Sequence, residues 1–494
     1  MTTIFETVWA DRRIAALIVI LISSFAAVLS AWSMPRGPLT STHALLFMAI
    51  GLLLGFAAGL ASGRGWAAFL AGAAFIVVYE LARFNVQGPT VDLINLSSVY
   101  GIIALITGRL VYWLLVLVPL VPGSALGAAL AGRLSEYLSV KMGIMGWSFS
   151  ALAGMAIIAL AIVIAGPATT HPIVGSDGGS VPGSVAELTR VEIGGVEQTI
   201  MIRGRDENNP VLLYLAGGPG GTDLGAMRAD TSLEEDFVVV TWDQRGTGKS
   251  YAAIEPIDRM TLDQMVSDTI EITNYLRERF NEEKIYLVGN SWGTILGALA
   301  VQQNPELYHA YVGTGQMVSP RETDIMFYED TLAWAQQTGQ DNLVETLEQN
   351  GPPPYADLLD YEPIINHEHD WNPYPGMENS VEMPFNTFVP ENTFMDRVNA
   401  LRGLLDTYSQ LYPQIQEVDF RDDVVELEVP FYMVTGAYEA RGRRVLSNEW
   451  FDRLSTPSKE LIVFDESGHR PSFEQPAEFA ALMRRVLSET QAGG

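Results

Sequence analysis

The chain has 494 residues, with 30 Lys and Arg against 58 Asp and Glu, a formal net charge of −28 and no cysteine. Without thiols there is no disulfide framework, no cysteine nucleophile and no thiolate metal site, and so acidic a chain is ill suited to phosphate backbones, which removes nucleic acid as an expected partner. The charge is unevenly spread: residues 1–166 carry 8 basic and 5 acidic side chains, residues 167–494 carry 22 and 53.

The stretches 14–34, 43–62, 66–81, 99–121 and 147–166 are almost free of charge, and about 20 apolar residues take a helix across the hydrocarbon core. Five spans are therefore expected, making residues 1–166 a multi-pass transmembrane region. A cleaved leader would account for the first stretch alone. With the N-terminus inside, Arg12, Arg13, Arg64, Arg133 and Lys141 fall inside and only Arg36 and Arg83 outside. Lys and Arg favour the cytoplasmic side, so the domain that follows is expected outside the cytoplasm. Splitting the fourth stretch at Arg109 into a hairpin gives six spans and a four-to-four tally without an orientation signal. Glu80, Arg83 and Arg109 are expected to anchor or pack, Arg109 pairing with Glu80 or snorkelling. Gly51, Gly55 and Gly59 recur every four positions, which suits close helix contact within the bundle or a homo-oligomer through these helices.

Residues 167–184 are rich in Gly, Pro, Ser and Thr and read as a linker. In the remainder, 185–494, short apolar runs at 211–215 (VLLYL), 237–242 (FVVVTW), 285–288 (IYLV), 431–435 and 461–464 read as buried strands. They alternate with helical patterns at 262–280, 294–303 and 477–487, which implies an α/β fold with a mostly parallel sheet.

Gly289-Asn290-Ser291-Trp292-Gly293 lies between an expected strand and an expected helix, the setting of a nucleophile elbow, in which flanking glycines let the chain turn sharply and push the serine hydroxyl outward. A serine hydroxyl needs a base. Four histidines follow: His309 beside a strand, His367 and His369 in an irregular insertion, and His469 on the loop after the last strand, where the base belongs. His367 and His369 lack helical ligand spacing for a metal, and neither metal nor cofactor is expected. The acid that orients His469 is expected after the 431–435 strand, at Glu439, with Asp465 and Glu466 as rivals. The oxyanion hole needs two backbone N–H groups, assigned to Trp292 and to Gly218, with Gly217 as alternative.

Three motifs in order, GGPG at 217–220, DQRGTGKS at 243–250 and GNSWG at 289–293 continuing into Thr294, resemble the proline iminopeptidase-like branch of the α/β-hydrolases over about 185–490. The resemblance implies the Ser291, Glu439, His469 order and a helical cap at about 319–423. It also implies that cap carboxylates hold the substrate's free amine; Glu329 and Asp330 are the candidates. Two positions depart from the pattern: the loop usually begins HGGPG and here has Ala216, and the acid is usually aspartate. Asp243 and Arg245 are expected to be structural. The cap interval holds 21 acidic and 4 basic residues, which favours cations at the pocket mouth, although solubility or high-salt adaptation accounts for an acidic domain as well.

The expected function is a membrane-anchored serine hydrolase, an aminopeptidase or amidase cleaving small peptides through an acyl-enzyme. An esterase or lipase acting on lipids of the bilayer is the alternative enzyme. A non-catalytic membrane sensor or scaffold with a decayed hydrolase domain is the alternative of another class.

Overall fold

The computed structural model describes residues 8–134, 144–377 and 385–492. It divides into two compact units, residues 1–167 with 393–398, and residues 168–392 with 399–494.

In the first unit, three helices among the described residues are long and apolar enough to cross a membrane: Arg12–Ser33, Ser41–Ser62 and Val99–Leu134. Ala67–Ala82 and Ala151–Ala165 are shorter apolar helices. The 99–121 stretch does not break into a hairpin at Arg109. It continues for 36 residues, relaxing into one π-helical turn at Ile106–Leu110 and running on past Pro119 and Pro122. Gly51, Gly55 and Gly59 explain how tightly this helix meets Ser41–Ser62, because a Cβ on each would lie 2.1, 2.1 and 2.0 Å from the carbonyl oxygens of Val116, Leu120 and Ser124. The repeat of small residues thus serves contact inside the unit.

Glu80, Arg83 and Arg109 form one paired cluster. Arg83 donates to Glu80 (3.0 Å), to Tyr112 Oη (2.5 Å) and to the Gly108 carbonyl in the π turn (3.3 Å). Arg109 donates to the carbonyls of Leu93 (3.0 Å) and Val91 and lies 3.5 Å from Glu80. A π turn departs from the usual helical bonding pattern, and Arg83 gives the Gly108 carbonyl within it a donor, whereas Arg109 serves carbonyls outside the turn.

The second unit is built on one eight-stranded sheet: β1 Val185–Ile193, β2 Val196–Gly204, β3 Val211–Leu215, β4 Val238–Asp243, β5 Ile285–Asn290, β6 Tyr308–Thr314, β7 Phe431–Gly436 and β8 Lys459–Phe464. The spatial order is β1-β2-β4-β3-β5-β6-β7-β8. β1 and β2 form an antiparallel hairpin, β2 runs antiparallel to β4, and all later pairs are parallel. The central strands β3, β4 and β5 are buried at every residue, as expected of a sheet covered on both faces. The helix Leu262–Phe280 begins where Thr261 accepts from the Gln264 N–H and stops at Asn281, which takes the left-handed conformation that closes helices. Between β6 and β7 the chain leaves the sheet for a helical insertion opening with Pro320–Thr338 and including Asp341–Asn350, Leu358–Ile365 and Glu368–Trp371.

Candidate active site

Ser291 sits at the carboxyl end of β5 with φ 51° and ψ −119°, one of two described non-glycine residues with positive φ. Such strain persists only where the surroundings impose it. Here the Ser291 N–H donates to the Thr314 carbonyl (3.0 Å), while the Ser291 carbonyl accepts from Thr294 N (2.8 Å) and Oγ1 (2.6 Å). Gly293 is needed because a Cβ would lie 2.2 Å from the Leu215 carbonyl. The turn leaves the serine hydroxyl with one side-chain contact among the described residues, Met317 Sδ at 3.7 Å.

His469 follows β8 on a loop that reaches the elbow: Asn290 Nδ2 donates to the His469 carbonyl at 3.5 Å. Its Nδ1 lies 2.9 Å from Glu439 Oε2. Glu439 is 3% exposed, and burial alone would push its carboxyl up. Arg443 and His469 outweigh that and hold it at about 2. An ionised carboxylate only accepts, so His469 Nδ1 carries a proton in this contact. Asp465 and Glu466, the rivals for the acid, make no bond to His469 among the described residues; Asp465 Oδ1 accepts from Gln475 (3.2 Å) and the Glu466 backbone donates to Gln475 (3.0 Å).

The loop after β3 brings Gly217 and Gly218 toward the elbow. The Gly217 N–H faces Asp223 Oδ2 at 3.4 Å, whereas the N–H groups of Gly218 and Trp292 have no acceptor among the described residues. Gln244 joins both sides. It accepts from the Trp292 indole (2.9 Å) and donates to the Ala216 carbonyl (3.3 Å).

A family model described as the alpha/beta hydrolase fold matches residues 210–476. The chain belongs to the α/β-hydrolase fold family. It is 29% identical over 316 residues to a probable aminopeptidase of Bacillus subtilis, an alignment covering 61% of this chain and 96% of that protein. It is 23% identical over 286 residues to a probable proline iminopeptidase of Leptolyngbya boryana, covering 54% and 83%. Among solved structures, the proline iminopeptidase-related protein of Thermus thermophilus aligns with a TM-score of 0.44 and 18% identity over 62% of this chain and 98% of that one.

Around the elbow of this α/β-hydrolase the DQRG turn does structural work. Asp243 accepts from the Lys249 N–H (2.9 Å) and from Thr222, and Arg245 grips Asp268 (2.8 and 3.2 Å) with both fully enclosed. In the inserted cap, Glu329 and Asp330 are both bound by Arg441, at 2.9 and 3.0 Å. Sequence reasoning missed another carboxylate on that helix. Asp324 is buried, accepts from Tyr412 Oη (2.7 Å) and Gln416 Nε2 (3.0 Å), and is pushed up to about 7 by burial. The signal was its place on the buried stripe Asp324, Phe327, Thr331, Ala335, which has helical spacing; Glu329 and Asp330 lie off that stripe.

Proposed function

We propose that the protein is a membrane-tethered serine hydrolase that cleaves small peptides or amides from the amino end. The observation that carries this reading is the buried Glu439–His469 pair at 2.9 Å on the loop joined to the strained Ser291 elbow. In this mechanism His469 Nε2 takes the Ser291 proton as Oγ attacks the scissile carbonyl, while the N–H groups of Trp292 and Gly218 receive the oxyanion. The proton passes to the leaving amine, and water attacks the acyl-Ser291 with His469 again as base. Glu439 stabilises the imidazolium formed in both steps. The names of the relatives, aminopeptidase and proline iminopeptidase, favour an amide substrate with a free amine, and the acidic cap favours a cation. Asp330, already shared with Arg441, lines a cleft of about 440 Å³ that reaches Glu439; it and Glu329 are the proposed contacts for the amine.

The three long apolar helices support a location at a bilayer, and the Lys and Arg tally supports a catalytic domain outside the cytoplasm. The same tether gives a lipid ester access to the serine, so an esterase is the second reading. The deciding experiment is hydrolysis of a panel of aminoacyl amides and acyl esters by the full chain in detergent. Fluorophosphonate labelling accompanies it, with Ser291→Ala as control. Amide turnover and labelling that both vanish in Ser291→Ala are expected; ester turnover alone selects the second reading. Labelling that survives in Ser291→Ala defeats both.

A further inference from the structure

We propose that Arg443 is the positioning residue that makes a glutamate serve as the acid of this site, and that Glu368 of the cap balances its charge. The inference rests on the serine hydrolase reading and deepens it.

Glu439 takes three donors. Oε2 faces His469, and Oε1 accepts from Arg443 Nε at 2.7 Å and from the Ala440 N–H at 2.9 Å. Arg443 lies in the first turn of the helix Arg441–Arg453, whose N-cap is Ala440, so it reaches back over the cap to Glu439 just before the helix. Its guanidinium is itself held on three sides: Nε on Glu439, Nη2 on Glu368, and its face 4.7 Å over the Phe327 ring. Phe327 and Glu368 both come from the insertion between β6 and β7, in the helices Pro320–Thr338 and Glu368–Trp371. A glutamate has one more torsion than an aspartate and therefore one more way to swing its carboxylate away from the imidazole. Two donors fixed behind Oε1 remove that freedom and leave Oε2 for His469. The rigid fork of arginine suits this better than a lysine would.

The fork has an electrostatic cost. A cation beside Glu439 opposes the imidazolium that forms on His469, and Glu368 on the far side of Arg443 offsets it. Charges alternate along Glu368, Arg443, Glu439 and His469. Other charged groups at this corner include Arg441 and Arg444 on the same helix, Asp330 and Asp324 from the cap, Glu474 beside the His469 loop, Arg470 paired with Asp223 (2.6 Å), and Asp370 paired with His367 (2.7 Å) beside Glu368. Arg441 is bound to Asp330 and Glu329, and Glu474 accepts from Tyr374 Oη and the Gly468 N–H, both at 2.7 Å. Neither spans the gap between cap and acid as Arg443 does.

The alternation makes opposite predictions for two neutralising substitutions. The acidic limb of kcat/KM reports the free enzyme's base. Arg443→Gln removes a positive charge and should move that limb to higher pH, with kcat reduced about 10- to 100-fold as the carboxylate loosens. Glu368→Gln removes a negative charge and should move the limb to lower pH. Arg443→Lys should return the limb toward its normal position without restoring the rate, because it keeps the charge and loses the fork. The measurement is kcat/KM against pH for the full chain and these variants on an amide that the wild type cleaves, with thermal melting for the fold and fluorophosphonate labelling for Ser291. Limbs that stay in place or move in the same direction overturn the inference, as does full turnover in Arg443→Gln. If Arg443→Gln does not fold, Glu368→Gln decides alone, an unmoved limb counting against. A wild type that neither hydrolyses nor labels overturns the hydrolase reading and this inference with it, whereas an active wild type with unresponsive variants overturns only this one.

Discussion

Trp292 and Gln244 are joined by a 2.9 Å hydrogen bond from the indole to the side-chain amide oxygen, and both are essentially enclosed. The amide's other end donates to the Ala216 carbonyl, at the position where the resembled family usually places a histidine. One side chain that both accepts and donates thus ties Trp292, the residue after Ser291, to the loop that carries Gly218. Ala216 has no polar side chain to brace that loop, and Gln244 braces it from the neighbouring strand end.

Gln244→Glu should therefore lower kcat by about 10- to 100-fold, a fraction of what loss of a whole oxyanion donor costs. The carboxylate still accepts from Trp292 but no longer donates to Ala216. Steady-state kinetics and the rate of fluorophosphonate labelling measure it. Wild-type values for both would show that the bridge does not position the hole.

Glu439→Gln should leave the fold intact and cut turnover by roughly 10³ to 10⁴, because the imidazolium loses its anionic partner and the tautomer is no longer fixed. Glu439→Asp should retain partial activity, since the loop and Arg443 are set for the longer side chain. Asp465→Asn and Glu466→Gln should be near normal. The reverse pattern in kcat would move the acid to the loop of His469.

Asp324 gives a pH dependence of stability. Its folded value of about 7 lies above the usual aspartate range near 4, so the folded state holds its proton more tightly. Its contribution is full below about pH 4 and is lost as pH rises through 7, a span worth up to about 4 kcal/mol. Asp324→Asn has no proton to lose and carries a pH-independent cost from mismatched hydrogen bonds with Gln416. The melting-temperature gap between wild type and Asp324→Asn should accordingly shrink or reverse from pH 5 to pH 8. A constant gap refutes the assignment.

The proposed orientation predicts that protease added to intact cells removes residues 168–494 while the apolar helices stay protected. A domain that becomes sensitive only after the membrane is broken reverses the topology.

Strands such as Val211–Leu215 were legible because burial on both faces leaves an unbroken apolar run, and Leu262–Phe280 because its cap residues match its periodicity. The β1–β2 hairpin was not. β2 is buried at seven of its nine residues, yet it carries Gln198 and Arg203, whose partners Asp268 (2.9 Å) and Glu234 (2.7 Å) lie far along the chain. A strand whose burial depends on distant partners does not look apolar. The fourth stretch was expected to end at residue 121, but the helix passes through Pro119 and Pro122 and runs on to Leu134. At the site, Ser291 and His469 are marked by local motif and chain order, which are sequence properties. Gln244 and Arg443 act through bonds to residues 48 and 4 positions away. The Gln244 bond lies beyond any local pattern, and Arg443 is hidden among the arginines of RGRR.

The cluster of Glu80, Arg83 and Arg109 bears on how the chain is made. An unaccompanied guanidinium at mid-bilayer costs about 2.5 to 3.5 kcal/mol on insertion scales. Ala67–Ala82 brings Glu80 with Arg83 close behind, and Arg109 arrives some 26 residues later in Val99–Leu134. Only then do Gly108 and Tyr112 complete the set of partners for Arg83. Were these helices to enter a bilayer as proposed, the two guanidiniums would find their partners only once both helices are in place, which favours their insertion as a pair.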